Sequence, residues 1–141
     1  MFKLDPQLVA DTITIGDLPL CRLLLINDSQ YPWCILVPRR NDIQEMYQLD
    51  ETDQKQLMIE SNTIGTLLMS HFEGDKLNVA ALGNMVPQLH IHHIVRYKTD
   101  PAWPKPVWGA LPNLSYEQQK LDDLVSDITK LVASKISLQA C

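Results

Sequence analysis

The chain has 141 residues, of which 45% are hydrophobic and 21% are charged, a composition that suits one compact domain spanning residues 1–141. A formal net charge of −5 gives no basic footprint for nucleic acid, and the sequence has neither an apolar run that could span a membrane nor a signal-peptide pattern at its N-terminus. Three widely spaced cysteines without a Cys-x-x-Cys pair speak against a disulfide framework or a structural zinc site. Because neither a signal peptide nor a membrane span is recognisable, we expect a cytoplasmic protein.

The first part of the chain predicts three strands joined by turns. Residues 12–15, 21–26 and 33–37 are rich in β-branched and apolar side chains, and turn-forming residues separate these runs. Pro38 ends the third run, because proline cannot donate a hydrogen bond to a sheet ladder. The short connections favour a mostly antiparallel sheet.

A long helix is predicted next, over residues 50–72. Its apolar residues recur at the spacing of a helical stripe, and Asp50 or Thr52 can cap the first turn. The stripe consists of Leu57, Ile64, Leu68 and Phe72. Two further strands are predicted at residues 75–82 and 88–97.

Residues 99–113 form a segment too rich in proline for a helix or a central strand, so we expect an extended arm. We interpret its Trp103 and Trp108 as anchors of the arm, in preference to stacking on a nucleotide base or a dimer contact. A C-terminal helix is predicted over residues 115–138. Ser115 would open it in a capping box with Gln118, ahead of an apolar stripe.

Three of the four histidines lie in residues 88–96, an alternating apolar stretch. Strand geometry predicts that Gln88, His90 and His92 share one face of this strand. Two imidazoles would then stand side by side on a rigid element. The alternative is an exposed strand face with two ordinary histidines. His93 is predicted on the opposite face as a satisfied, half-buried residue, and Arg96 as a surface charge.

The residues around this stretch resemble the signature of the histidine-triad (HIT) superfamily of nucleotide hydrolases and transferases, which reads His-φ-His-φ-His-φ-φ with φ apolar. Gln88 occupies the first histidine position. Gly83-Asn84-Met85-Val86-Pro87 falls where the family has Gly-Gln-Ser/Thr-Val-Pro, and Asn78 falls on a family asparagine. Residues 35–39, Ile-Leu-Val-Pro-Arg, resemble the family's Leu-Val-Ile-Pro-Lys strand end.

The resemblance implies an α+β fold of the HIT type, with an antiparallel sheet of about five strands and two main helices, paired as a homodimer. It also implies hydrolysis or nucleotidyl transfer at the α-phosphate of nucleoside polyphosphates, dinucleoside polyphosphates such as Ap4A, or phosphoramidates. His90 would be the nucleophile that forms a covalent nucleotidyl intermediate, and His92 would stabilise charge on the phosphate. The implied nucleotide-binding residues are Asn27, Asn78, Gly83, Asn84, Met85, Val86 and Gln88.

Several residues depart from the family pattern. Met85 replaces a hydroxyl that assists the leaving group, and Trp33 stands where the family has another histidine. These departures favour a second hypothesis, a catalytically degenerate nucleotide-binding or regulatory module. A third hypothesis uses His90 and His92 as metal ligands, but the sequence supplies no clear third and fourth ligand, so no metal or cofactor is predicted.

Overall fold

A computed structural model describes residues 1–141. Five antiparallel strands form one sheet in the spatial order β1-β2-β3-β5-β4. The strands are β1 (Thr12–Asp17), β2 (Cys21–Ile26), β3 (Trp33–Pro38), β4 (Lys76–Ala80) and β5 (Ile91–Arg96). The helices are α1 (Pro6–Asp11), α2 (Glu51–His71) and α3 (Gln118–Ala133), with a short 3₁₀ helix at Met46–Gln48. The predicted α+β fold, with a five-stranded antiparallel sheet and two main helices, is confirmed.

The short helix α1 was not predicted, although the sequence carries its signal. The Asp5 side chain accepts a hydrogen bond from the Gln7 backbone N–H at 2.8 Å, and Pro6 follows at the first helical position. Proline is favoured there because its missing N–H would be unpaired in any case. Six residues are too few to display a convincing apolar stripe, so periodicity alone misses this helix.

Strand β5 lies between β3 and β4, and all six of its residues are buried. His92 pairs with Ile35 on β3 and with Ala80 on β4. The strand begins at Ile91, three residues later than predicted, so His90 precedes it. Because β5 pairs with a strand on each side, the backbone at His92 is fixed by both neighbours.

Helix α2 packs its predicted stripe onto the sheet, with Leu57, Ile64 and Leu68 buried and Asp50 as the N-cap. A buried polar residue on the same face escaped the sequence analysis. The Glu60 carboxyl group accepts hydrogen bonds from the backbone N–H groups of Leu20 and Cys21, both at 2.8 Å. Because those donors lie at the start of β2, Glu60 ties the helix to the sheet.

Helix α3 begins at Gln118, so the prediction that Ser115 opens it is wrong. The Tyr116 backbone N–H donates to Asn27 Oδ1 at 2.9 Å, and the Leu114 carbonyl accepts from the Ser29 backbone N–H at 2.7 Å. These bonds hold the preceding segment against the β2–β3 turn and override the local capping pattern. No helix in the structure has the length and apolar character needed to cross a membrane.

Arg96, predicted at the surface, is instead buried. Its guanidinium donates to both Asp100 carboxylate oxygens, at 2.8 and 3.0 Å, and each side chain is only 2% exposed. It also donates to Asn78 Oδ1 at 2.9 Å and to the Lys105 carbonyl at 2.8 Å. Burial alone would raise the pKa of Asp100, but the hydrogen bonds and charge of Arg96, together with bonds from the backbone N–H groups of Tyr97 and Ala102, outweigh it and lower that pKa. Arg96 therefore attaches the arm of residues 99–113 to the sheet.

Candidate active site

His90 and His92 lie side by side where the chain enters β5. Their ring centroids are 5.0 Å apart with an interplanar angle of 68°, and the two residues are 7% and 6% exposed. Both line a hollow that we call the histidine hollow. Its other walls are the loop of residues 82–86 and Trp108 from the arm.

The His90 ring is oriented by the main chain. Its Nδ1 lies 2.7 Å from the carbonyl oxygen of Gln88. A carbonyl only accepts hydrogen bonds, so Nδ1 carries the proton and Nε2 keeps its lone pair. An imidazole held in this way can attack an electrophile without an auxiliary base.

The Gln88 side chain does not line the histidine hollow. It contacts the N-terminal segment, whose Leu4 and Leu8 pack with Ile35, the β3 partner of His92, so Gln88 lies on the same side of the sheet as His92, as predicted. Gln88 Oε1 accepts from the Asp5 backbone N–H at 2.8 Å, and its Nε2 donates to the Lys3 carbonyl at 2.9 Å. Gln88 thus contributes its backbone carbonyl to the site and its side chain to docking the N-terminal segment.

His92 meets an aromatic partner that the sequence analysis missed. Trp33 Nε1 donates to His92 Nδ1 at 3.0 Å, and the two ring centroids are 5.6 Å apart. The Trp108 ring lies 5.1 Å from the His92 ring on another side. Burial, with smaller contributions from His90 and His93, lowers the pKa of His92 to about 3. His92 is therefore neutral in the ordinary pH range.

His93 points away from the hollow and is fully buried rather than half-buried as predicted. Its Nε2 lies 2.7 Å from the Ser61 hydroxyl on α2, and its Nδ1 lies 3.1 Å from the Ile91 carbonyl. Burial lowers the pKa of His93 to about 4, although the Ile91 carbonyl acts in the opposite direction. Both ring nitrogens of His93 have hydrogen-bond partners within the protein, so this residue has a structural role.

The loop from Gly83 to Val86 lines the histidine hollow. None of its four N–H groups donates a hydrogen bond within the protein. Gly83 adopts a positive φ of 74°, a left-handed conformation that glycine tolerates without strain. The Met85 side chain is 95% exposed and Asn84 is exposed too. No Lys or Arg lines the hollow, so these unpaired amides and the two imidazoles are the groups there that can donate hydrogen bonds to an anion.

Asn27 lies in a second hollow, which we call the aromatic hollow because Tyr31, Trp33 and Trp108 line it. Asn27 and the neighbouring Asp28 supply polar groups there. Trp108 lines both hollows, so the two adjoin. The predicted residues Gly83, Asn84, Met85, Val86, His90 and His92 thus gather in the histidine hollow, and Asn27 lies in the adjoining one.

Asn78 does not line either hollow. It lies on β4, where its amide oxygen is engaged by Arg96, as described above. This arrangement favours an ordering role over direct contact with a phosphate. The structure contains no group of three or more His, Cys, Asp or Glu side chains placed to hold a metal ion.

Sequence and structure comparisons agree on one family. The family model of the HIT domain matches residues 7–99. A histidine triad protein from Marinobacter aquaeolei VT8 is 48% identical with a TM-score of 0.92, covering 95% of this chain and 98% of its own. One from Bradyrhizobium japonicum is 46% identical with a TM-score of 0.89, covering 96% and 98%. A histidine triad protein from Sinorhizobium meliloti 1021 is 41% identical with a TM-score of 0.89, covering 92% and 96%. No curated protein sequence matches the chain. The extent of the family match, together with relatives above 40% identity over nearly the whole chain, shows that the chain belongs to the HIT domain family.

Proposed function

We propose that the protein is a nucleotide hydrolase or nucleotidyl transferase acting at the α-phosphate of nucleoside polyphosphates, dinucleoside polyphosphates of the Ap4A type, or phosphoramidates. HIT proteins are in general nucleotide-binding hydrolases and transferases, and this chain is a member of that family. The observation that carries the proposal is the 2.7 Å contact between His90 Nδ1 and the Gln88 carbonyl. It leaves Nε2 of His90 free as a nucleophile at the wall of the histidine hollow.

The reaction proceeds in two displacements. His90 Nε2 forms a bond to the α-phosphorus as the bond between phosphorus and the leaving group breaks. The leaving group departs with the electron pair of the broken bond and takes up a proton from solvent. Water, or another acceptor hydroxyl, then attacks the same phosphorus and releases His90, with one proton lost to solvent. Loop amides and His92 donate hydrogen bonds to the phosphate oxygens as charge develops.

The nucleoside part is assigned to the aromatic hollow. Asn27 and Asp28 offer polar groups suited to ribose hydroxyls, and the Trp33 and Trp108 rings offer apolar surface. Trp108, predicted only as an anchor of the arm, then contacts both parts of the substrate. The site needs no cofactor in this scheme, and the cytoplasmic location predicted from sequence stays part of the proposal.

A panel of adenosine and guanosine substrates, assayed in isotopically labelled water with excess EDTA, tests this function. We expect turnover without added metal, with the label in the nucleoside monophosphate because water attacks the α-phosphorus. Loss of activity on chelation, with recovery on adding zinc or manganese, would instead support a metal mechanism. Tight nucleotide binding without any turnover would support the degenerate binding module.

The homodimer implied by family resemblance is assigned to the free edge of β4. That strand ends the sheet, and its Val79 is 50% exposed beside a hollow lined mainly by apolar side chains of α2 and the 3₁₀ helix. An exposed apolar surface next to an unpaired strand edge is typical of an association site. The exposed apolar residues there are Met46, Tyr47, Met58 and Val79.

A charge at this surface is expected to separate the dimer. Light scattering should give twice the chain mass of 16.1 kDa for the wild type and a single chain mass for Val79→Asp. Val9→Asp is the matched control, since Val9 is 59% exposed on α1, away from this edge. A wild-type protein that is monomeric at high concentration, or a dimer that Val79→Asp leaves intact, contradicts the assignment.

A further inference from the structure

Trp33 lies at the junction of the two hollows. Its ring lines the aromatic hollow, and its Nε1–H donates to Nδ1 of His92. The residue is half-buried at the first position of β3, where it pairs across the sheet with Ile94. Its ring is also flanked by Tyr31 at 6.3 Å and Trp108 at 6.1 Å between centroids, both edge-on. The indole is therefore held in place by packing as well as by its hydrogen bond.

An indole nitrogen can only donate a hydrogen bond. His92 Nδ1 must then accept, which means that it holds a lone pair and that the neutral ring carries its proton on Nε2. His90 has the opposite tautomer, because its Nδ1 faces a carbonyl acceptor. Two adjacent histidines are thus set to complementary states by their partners: His90 presents a lone pair at Nε2, and His92 presents an N–H.

The surroundings of His92 keep it neutral. Its titratable neighbours are His90 and His93, and a proton on either would disfavour a second charge. The residues paired with it on the flanking strands, Ile35 and Ala80, carry no charge, and neither does Trp108 from the arm. A hydrogen bond donated to Nδ1 also stabilises the neutral form.

We propose that Trp33 is a positioning residue that fixes His92 in its neutral Nε2–H tautomer, so that His92 serves as a permanent hydrogen-bond donor to the reacting phosphate and does not transfer a proton. This inference rests on the proposed function for the identity of the phosphate. Trp33 stands where the family has another histidine, yet its indole N–H donates the hydrogen bond that orients His92. The substitution is therefore a different way to orient His92 and not a loss of catalytic machinery.

The tautomer can be measured independently of activity. NMR of protein labelled at the histidine ring nitrogens distinguishes a protonated from an unprotonated Nδ1. We expect wild-type His92 to show only the Nε2–H form across the neutral range, and Trp33→Phe, which keeps an aromatic ring without the N–H, to show both tautomers. Trp108→Phe is the matched control for this measurement, since Trp108 contacts the same ring without donating to it. A protonated Nδ1 in the wild type, or an unchanged single tautomer in Trp33→Phe, overturns the proposal.

Kinetics then test the consequence of the tautomer for the reaction. Loss of an orienting partner is expected to lower kcat by about 10- to 100-fold in Trp33→Phe, with a smaller change in KM. In Trp33→Phe, Nδ1 can take up a proton, so an acid limb absent from the wild type should enter the pH–rate profile. Trp33→His, which restores a ring N–H, should recover part of kcat. A mixed tautomer with unchanged kcat overturns the positioning role, whereas a wild type inactive on every nucleotide overturns the proposed function and leaves the NMR result to decide the tautomer.

Discussion

His90→Asn is expected to lower turnover by about a thousandfold or more while the fold remains intact. The amide has no nucleophilic nitrogen, so the covalent route is lost, and removal of a nucleophile ordinarily costs several orders of magnitude. The only hydrogen bond of the His90 side chain within the protein is to the Gln88 carbonyl, so its loss should perturb stability little. Single-turnover rates and thermal denaturation of the variant and wild type measure both effects.

His92→Asn is the matched control, because His92 is buried to the same degree but is assigned no covalent role. Its turnover should fall, yet an adduct of one nucleotidyl group should still form on the protein and be detectable by intact mass after an alkaline quench. If His90→Asn keeps more than about a tenth of wild-type turnover, a loss under about 1.4 kcal/mol, covalent catalysis at this residue is wrong. An adduct that persists in His90→Asn would lead to the same conclusion.

Arg96→Met is expected to destabilise the protein by roughly 3–5 kcal/mol, because it leaves the buried Asp100 carboxylate without its partner. The substitution also removes the donors to Asn78 and to the Lys105 carbonyl, and the guanidinium that lies 5.6 Å from the Tyr31 ring centroid. Since these contacts attach the arm that carries Trp108, the histidine hollow should lose a wall as well. Urea unfolding monitored by tryptophan fluorescence measures the change in free energy.

Arg40→Met is the control for this variant. Arg40 also makes two hydrogen bonds to one carboxylate, that of Asp53, at 2.6 and 2.9 Å, but its side chain is 46% exposed. Solvent screens this pair, so its loss should cost under about 1 kcal/mol. If the two variants lose similar free energies of unfolding, burial of the Arg96–Asp100 pair does not determine the cost.

Much of the fold was predictable because local patterns and tertiary packing agree. The stripe of Leu57, Ile64 and Leu68 is buried as its spacing predicts, and Asp50 caps its helix. Ser115 shows where local patterns fail. A capping box competes with contacts from residues that are distant in sequence, and here the bond from the Tyr116 N–H to Asn27 spans 89 positions. The local sequence of a helix does not indicate which distant residues will compete for its first backbone N–H groups.

The candidate site was predictable in part for similar reasons. His90 and His92 stand out by spacing, and the loop before them by resemblance to the family. The hydrogen bond from Trp33 was not predictable because its partner, His92, lies 59 positions away on another strand. Arg96 was misjudged because an arginine in sequence gives no sign of a buried carboxylate partner. Side-chain partners across the sheet need coordinates, whereas the positions of the strands do not.

The first position of the triad shows how an orienting contact can survive a change of side chain. The group that orients the His90 ring is the backbone carbonyl of residue 88, and every amino acid has one. Substitution at this position therefore cannot delete the orienting group, which depends only on the path of the main chain between residues 88 and 90. The side chain of residue 88 is not needed for this contact, and in this chain it instead forms hydrogen bonds to the backbone of residues 3 and 5. Counting histidines in the signature would therefore overlook an orienting contact that the main chain supplies.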